Sequence, residues 1–489
     1  MSNKTNYQAT IGIECHVQLK TISKLFAPVD NDARTAQPNQ HTSHICLGMP
    51  GALPVLNQKA LELASRAAFA LGTRPEAYSA FDRKHYFYPD LPKGYQITQQ
   101  AHPIIRNGEV SLVVDGKKKK VRIERAHLEE DAGKNTHPQV GGYSLVDLNR
   151  AGTPLLEIVS APDMHSAAEA KAYVRELYLR MRYAGVSDAD LYHGNMRFDV
   201  NVSVSQTDQL GTRTETKNIN SFRAVERAVE HEIQRQVELL EKGEAIMQET
   251  RGWDEAKQRT VSQRGKEEAH DYRYFPEPDI PPIRLSEDFI ERIAKAMPVM
   301  PDVFRSQLRK RGLSEEQIEI LIVFELEDKN NYIDLVLDET ISDAIAQKLA
   351  NAIIQVEIPA RNDEKTLNRD TVFSLEHRKN VYQEVLRLQG DGKLSSTNAK
   401  GLLHDLLFSG AKPKNIAKYA NEQGYIQVSD DKELLRLVIE VIGDNPQAAD
   451  DVRSGEMKAV GFLVGKVMQA SHGKANPAKV KELLTKQLS

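Results

Sequence analysis

The sequence predicts an α+β protein with a strand-rich first half and an all-helical second half. Two observations carry this. In the first half, apolar residues recur at every second position, the period of a strand; in 287–297, 315–326, 341–355 and 376–389 they recur at helical spacing. Between the halves stands Pro276-Glu277-Pro278-Asp279-Ile280-Pro281-Pro282. Four prolines in seven residues fit neither a helix interior nor a central strand, so this stretch reads as a linker. A second polar stretch, Gln389-Gly390-Asp391-Gly392-Lys393, precedes further short helices. At roughly 150 residues per domain, 489 residues make about three domains.

Composition narrows the class. With 40% hydrophobic and 27% charged residues, the chain can build a packed core. Lys plus Arg is 65 and Asp plus Glu is 69, and the net charge of −4 excludes a histone-like polycation. Charge is uneven, however. From Val452 to Ser489, Arg453, Lys458, Lys466, Lys474, Lys479, Lys481 and Lys486 face Glu456 and Glu482, a local excess of +5. That tail is either a solvated helix face or a surface for phosphate backbones. Two cysteines, Cys15 and Cys46, exclude a disulfide scaffold and a four-cysteine zinc site. No run approaches the ~20 apolar residues of a membrane span, and MSNKTNYQAT lacks a basic-then-apolar signal. The expectation is a cytoplasmic protein with no membrane partner.

The first strand, Ile11 to Leu19, alternates strictly. Ile11, Ile13, Cys15, Val17 and Leu19 face a core, and Glu14, His16 and Gln18 share the other face. A carboxylate and an imidazole so placed suit a cation, and equally suit a wet strand face. A hairpin follows at Asp115-Gly116, a tight-turn pair, with Lys117 to Lys120 as its charged edge. Its second strand delivers His127-Leu128-Glu129-Glu130-Asp131-Ala132-Gly133, whose three acids fit either a Mg²⁺ site or an exposed turn. Met196 to Val204 alternates again, with Arg197, Asp199, Asn201 and Ser203 on one face. After Gly211, Arg213, Glu215 and Lys217 share a face, and the two runs predict an antiparallel pair. Phe222, Val225, Val229, Ile233 and Val237 then mark a covering helix, capped by Asn220 or Ser221 and ended by Gly243.

Several motifs are absent. Gly461-Phe462-Leu463-Val464-Gly465-Lys466 is one residue short of a phosphate-binding loop and reads as a helix. Gly-x-Gly-x-x-Gly and Gly-x-Ser-x-Gly do not occur. ATP, if used, would have to be held by an acidic metal site on a sheet.

Longer strings carry a resemblance. They are Ile11 to Leu19, Cys46 to Pro54, Tyr86 to Gln96, His127 to Lys134, Asp147 to Leu155, Gly211 to Phe222, Asp271 to Asp279, Lys458 to Gly465 and Gly473 to Pro477. Across nearly its whole length the chain resembles the B subunits of the aspartyl/glutamyl-tRNA amidotransferases. The resemblance implies that ATP phosphorylates the side-chain carboxylate of misacylated Glu-tRNA(Gln) or Asp-tRNA(Asn), and that ammonia then displaces phosphate. It implies a glutamine-synthetase-like α/β cradle at 1–287, a helical domain at 288–405 and a YqeY-like tRNA-binding tail at 406–489. It implies ATP and Mg²⁺ as cofactors, with Glu14, His16, Glu130 and Glu215 as metal ligands and Glu129 and Asp199 as further candidates. Lys84, Arg197 and Lys217 would contact phosphate or the acyl group. Lys93 and Glu130 would guard the ammonia entrance, and Tyr86, Tyr88 and Asn201, with Tyr95 beside them, would line the nucleotide pocket. Ammonia, derived from glutamine, would come from an amidase-like A subunit. A small C subunit would complete a heterotrimer.

The chain departs from its family at one place. Many members carry four zinc-binding cysteines where this sequence has Ala27, Val29, Ser43 and Cys46, so no structural zinc is expected. Two competing readings are a non-catalytic tRNA-binding scaffold and a free-standing amide ligase for a small acid.

Overall fold

The computed structural model describes residues 7–138, 140–265, 271–328, 331–363, 374–427, 431–456, 458–471 and 475–488. The chain divides into two compact units, Met1–Pro301 and Asp302–Ser489. The first is mixed α and β; the second is helical among its described residues.

The first unit runs β1 (Gln8–Gln18), α1 (Gln58–Ala70), β2 (Tyr78–His85), β3 (Tyr95–His102), β4 (Ile105–Val114), β5 (Lys117–Glu130), β6 (Lys134–Thr136), β7 (Leu145–Asp147), β8 (Pro154–Ser160) and α2 (Ala167–Tyr183). It continues with β9 (Met196–Ser205), β10 (Thr214–Ile219), α3 (Phe222–Glu241), β11 (Glu249–Asp254), β12 (Arg259–Gly265), β13 (Phe275–Pro276), β14 (Ile283–Arg284) and α4 (Glu287–Lys295). Eight strands form one sheet in the order β12-β11-β10-β9-β1-β8-β5-β4. Its neighbours are antiparallel except β10 and β11.

Alternation along the central strands explains the layering. Ile11, Ile13, Cys15 and Val17 of β1 and Phe198, Val200 and Val202 of β9 are buried in one apolar cluster with Leu177 of α2 and Val225 and Val229 of α3. Burial on this scale drives the helices onto the sheet, at roughly 1.5–3 kcal/mol per large side chain. The polar residues of the same strands are left on the opposite face. Ser221 caps α3 by accepting the Ala224 N–H at 3.0 Å, and Gly243 follows the helix with φ +77°. Asp115 and Gly116 both take positive φ in the tight turn between β4 and β5.

The proline-rich segment is not a linker. Phe275–Pro276 and Ile283–Arg284 both pair with β2, while Ile280 and Ile283 are buried in the first unit's core. Arg83 grips Glu277 with two hydrogen bonds, at 2.8 and 2.9 Å. Proline is tolerated on such short edge strands because no central ladder bond is forfeited.

The second unit contains α5 (Pro301–Lys310), α6 (Glu315–Asp328), α7 (Tyr332–Val336), α8 (Asp343–Ala352), a π-helical turn at Ile353–Glu357, α9 (Ile358–Asn362), α10 (Leu375–Gly390), α11 (Ser396–Phe408) and α12 (Ile416–Glu422). The last four are α13 (Asp431–Asp444), α14 (Pro446–Arg453), α15 (Lys458–Ala470) and α16 (Pro477–Leu488). These four share a core that includes Leu434, Val438, Ala449, Leu463, Val467, Val480 and Leu484. Gly461 to Lys466 lie inside α15, with the Lys466 ammonium 5.6 Å from the Phe462 ring centre. Lys458, Lys481 and Lys486 are exposed; Gly473 and Lys474 lie outside the described residues. No described helix is long and apolar enough to cross a membrane.

Candidate functional site

The site is assembled on the polar face of the large sheet, opposite the face that α2 and α3 cover. From β1 come Glu14 and His16; from β9, Arg197, Asp199 and Asn201; from β10, Glu215 and Lys217. Register aligns them: Glu14 stands opposite Asp199, Asn201 opposite Glu215, and His16 between Arg197 and Glu157. On the other side of β8, Glu157 stands opposite His127 of β5.

Two triads result. His16, Glu129 and Glu157 place one ligand atom each within 4.8 Å of one another, and so do Glu14, Asp199 and Glu215. The His16 Nε2 lies 3.4 Å from Glu157 and 3.8 Å from Glu129, and His127 lies 3.5 and 3.6 Å from the same two acids. Lys217 bridges Asp199 at 3.2 Å and Glu215 at 2.8 Å. Asn201 donates to Glu14 at 3.1 Å, and Thr250 donates to Glu215 at 3.2 Å.

Electrostatics follow from this crowding. Burial, then the carboxylates of Glu157, Glu215 and Asp199, push the Glu14 carboxyl above its ordinary range; Lys217 opposes them. Burial alone would lower the His16 imidazole, yet its hydrogen bond and attraction to Glu157, with Glu129 behind, raise it to about 9. Burial would raise Glu157, but His127 and His16 hold it below the usual carboxylate range. Lys217 is held above its ordinary value because Asp199 and Glu215 outweigh its desolvation. Lys84 is likewise raised against its burial by Glu129, with Tyr274 and Glu157 adding to it.

The donor chemistry fits a hard divalent cation. Each triad offers at least two carboxylates, like charges that a cation would relieve. The buried His16 Nδ1 and His127 Nδ1 have no hydrogen-bond partner.

The remaining predicted residues fall into place differently. The acid run 129–131 is split three ways. Glu129 joins the His16 triad. Glu130, on the opposite side of the strand, pairs with Lys93 and accepts the Ile97 N–H at 2.9 Å. Asp131 accepts Arg197 at 3.0 Å and lies 3.3 Å from Arg150. The expectation that grouped Glu130 with Glu14, His16 and Glu215 therefore meets a geometry in which Glu130 belongs to neither triad. Lys84 lies 4.9 Å from the Tyr272 ring centre and 5.8 Å from that of Tyr86. Tyr86 and Tyr88 rings sit 6.0 Å apart, and Tyr95 lies under Arg83 at 4.3 Å and beside Lys93 at 5.3 Å. Sequence reasoning left out Glu157, His127 and Tyr272. The signal for Glu157 was an acid inside the apolar run Leu155-Leu156-Glu157-Ile158-Val159.

Cys46, the one cysteine at the four positions where many family members bind zinc, lies beside the Lys24 ammonium. The Lys24 ammonium donates to the carbonyls of His41 at 2.6 Å, Ala151 at 2.7 Å and Leu148 at 3.4 Å, and lies 3.6 Å from the Cys46 sulfur. Ala27, Val29 and Ser43 supply no thiolate, so this donor set does not fit tetrahedral zinc.

Comparison with known proteins agrees with this architecture. The family model of the GatB/GatE catalytic domain matches residues 9–291, and that of the GatB domain matches 337–488. The B subunit of the aspartyl/glutamyl-tRNA(Asn/Gln) amidotransferase of Caldicellulosiruptor saccharolyticus is 42% identical over 485 residues, 99% of each chain. The B subunits of Geobacter sulfurreducens and Geobacillus kaustophilus are 45% and 43% identical, again over 99% of each chain. The two family models and the likeness over 99% of the chain make it a member of the GatB family, the B subunits of the aspartyl/glutamyl-tRNA(Asn/Gln) amidotransferases.

Proposed function

We propose that the polar face of the eight-stranded sheet is the site where this protein activates and amidates the side-chain carboxylate of a misacylated tRNA. The observation that carries the proposal is the pair of acid-rich triads flanked by Lys217, Arg197 and Lys84. A carboxylate is a poor electrophile with a poor leaving group. Phosphorylation by ATP cures both faults, and ammonia then displaces phosphate. Phosphoryl transfer asks the protein for positioning and charge stabilisation above all.

Glu14, Asp199 and Glu215 would hold one Mg²⁺, and His16, Glu129 and Glu157 a second. Bound there, the cations would neutralise the phosphates of ATP. Lys217 keeps the first triad compact and stays protonated beside it. Lys84, set against the Tyr86 and Tyr272 rings, offers a charge to the transferring phosphoryl group. Arg197 is oriented by Asp131. Lys93 and Glu130 close a buried pair at the end of β5, suited to admitting a neutral amine while excluding water. Tyr86, Tyr88, Tyr95 and Asn201 would shape the nucleotide and acyl pocket.

The wider reading follows the family. We infer a glutamine-synthetase-like cradle that takes in α4 and so ends near 301 rather than at 287, a helical domain up to 405 and a tRNA-binding tail at 406–489. The assembly would be cytoplasmic and would hold an amidase-like A subunit, the ammonia source, together with a small C subunit. The exposed lysines of α15 and α16 support a backbone contact with the tRNA body, whose A-form helices hide their major-groove edges.

The test uses Glu215→Gln and Glu157→Gln in the assembled complex. Each is expected to lower ATP-dependent phosphorylation of Glu-tRNA(Gln) or Asp-tRNA(Asn) by about 10–100-fold or more, the range for disturbed metal shells. Binding of tRNA should be unchanged. Full activity in both variants would sink the metal assignment; lost binding with activity per bound tRNA preserved would favour a scaffold.

A further inference from the structure

We propose that Glu232, buried behind the sheet, is the positioning residue that fixes the register of β10 and thereby the placement of Glu215 and Lys217. The inference rests on the reading of the polar face given above.

Strand register is ordinarily specified by apolar side chains that must reach the core, since a slip of one residue sends every side chain to the wrong face. On β1 and β9 that device operates. On the stretch of β10 that carries Glu215 and Lys217 it does not. There the residues on the buried face are Thr214 and Thr216, both buried to 1% exposure, and they flank Glu215; the strand's one buried apolar residue, Ile219, lies beyond them. The strand is also irregular: its pairing with β9 shifts between Thr216 and Ile219, and Asn218 lies there with φ +59°. Ile219 anchors the strand's end in the core, but the irregularity separates it from Thr214–Lys217, so apolar patterning offers little resistance to slippage where the two site residues stand.

A polar cluster on α3 takes over the task. Glu232 is fully buried and accepts the Thr214 hydroxyl at 2.7 Å. Gln236, one turn on, donates to the same hydroxyl at 2.9 Å and to the Val202 carbonyl of β9 at 3.0 Å. The second oxygen of Glu232 accepts Thr260 of β12 at 3.0 Å, and Arg251 of β11 lies 3.4 Å away. Arg235 completes the shell at 2.5 Å. One carboxylate thus reaches three strands, and with its neighbour Gln236 it reaches four. Both Glu232 oxygens are satisfied, although the Gln236 Oε1 has no partner, and such a network specifies one arrangement because any slip strands the Glu232 charge. If β10 moved by one residue, Glu215 and Lys217 would turn toward α3 and the Glu14 triad would lose a member.

The two threonine hydroxyls that donate to the Glu232 carboxylate permit a controlled test. Thr214→Val removes the link to the strand that carries the site; Thr260→Val removes the link to β12, which carries none of it, together with the bond that Thr260 accepts from Arg251 at 2.8 Å. In the full-length chain, Mn²⁺ binding is read by electron paramagnetic resonance and the exchange of the 214–219 amides by mass spectrometry. Thr214→Val and Glu232→Gln are expected to weaken Mn²⁺ binding about tenfold and to speed exchange in β10. Thr260→Val, at a similar loss of melting temperature, should leave both as in the wild type. Equal effects from the two threonine variants, or unchanged β10 exchange in Thr214→Val, would overturn the proposal. Glu215→Gln serves as the separate check on the metal reading. Should it bind Mn²⁺ like wild type, that reading fails, and the exchange measurement alone decides whether Glu232 sets the register. If Glu232→Gln does not fold, the threonine pair still answers.

Discussion

Lys93 and Glu130 show how much a single buried charge depends on its partner. Both side chains are nearly inaccessible, and Glu130 has the Ile97 N–H as its other main support. Removing one partner strands the other, at about 3–5 kcal/mol; removing both can be close to neutral. Lys93→Met is therefore expected to destabilise the chain by about that amount, and Lys93→Met with Glu130→Gln to recover most of it, in urea unfolding. Additive losses would show that the two do not act as a pair. At this scale the sequence was informative about residue type and less so about grouping. Glu14 and His16 were legible because strict alternation put them opposite an apolar face; Glu215 and Lys217 were legible as every second residue of a run whose other face is threonine. Glu157 was hidden because its apolar neighbours read as a core strand. The run 129–131 read as one acidic patch, while the backbone sends its three carboxylates to three different partners.

Among the elements, α3 is the one whose role exceeds its pattern. Its apolar stripe was readable from Phe222, Val225, Val229 and Ile233, and Ser221 as its cap. Glu232 and Gln236 were passed over because they are polar, although each follows a buried valine, Val225 or Val229, by seven residues; both are fully buried, Glu232 against β10 and β12 and Gln236 against β10 and β9. Their face was readable from spacing; which strands they bond was not, because strand order depends on pairings across the sheet that no local window contains. Glu232 also gives this element a pH signature. Burial raises its carboxyl, but Arg235, Thr214 and Gln236 outweigh it and hold the group below 4.5. A carboxyl depressed on folding adds stability that is fully present above pH 4.5 and is lost as pH falls through its folded-state value. The stability gap between wild type and Glu232→Gln should thus be constant at neutral pH and close below pH 4.5. Thermal melts at a series of pH values check this, and a gap that widens in acid would contradict it.

For the whole molecule, the informative error concerns the prolines. Four in seven residues predicted a linker, and the strand pairing with β2 together with the Arg83–Glu277 bonds makes them part of the first unit. Proline content reports what a segment cannot be internally; it is silent on what the segment packs against. A fragment of residues 1–301 is expected to melt cooperatively by calorimetry. A fragment of residues 1–275, deprived of Glu277, Ile280, Ile283 and Ile290, should lack that transition. Two equal melts would mean that the segment is dispensable to the unit.

Lys24 gives the molecule a different dependence on its surroundings. A loop clamped by thiolates around a metal comes apart when the metal is withdrawn or the sulfurs are oxidised. Here the clamp is an ammonium on a four-carbon stem, held by three backbone carbonyls. Chelators should leave the melting temperature of the metal-free chain unchanged, while Lys24→Met, which leaves those carbonyls unanswered, should cost about 3 kcal/mol. The cation that closes this loop is encoded in a codon and arrives with the chain, so neither metal starvation nor an oxidising episode can take it away.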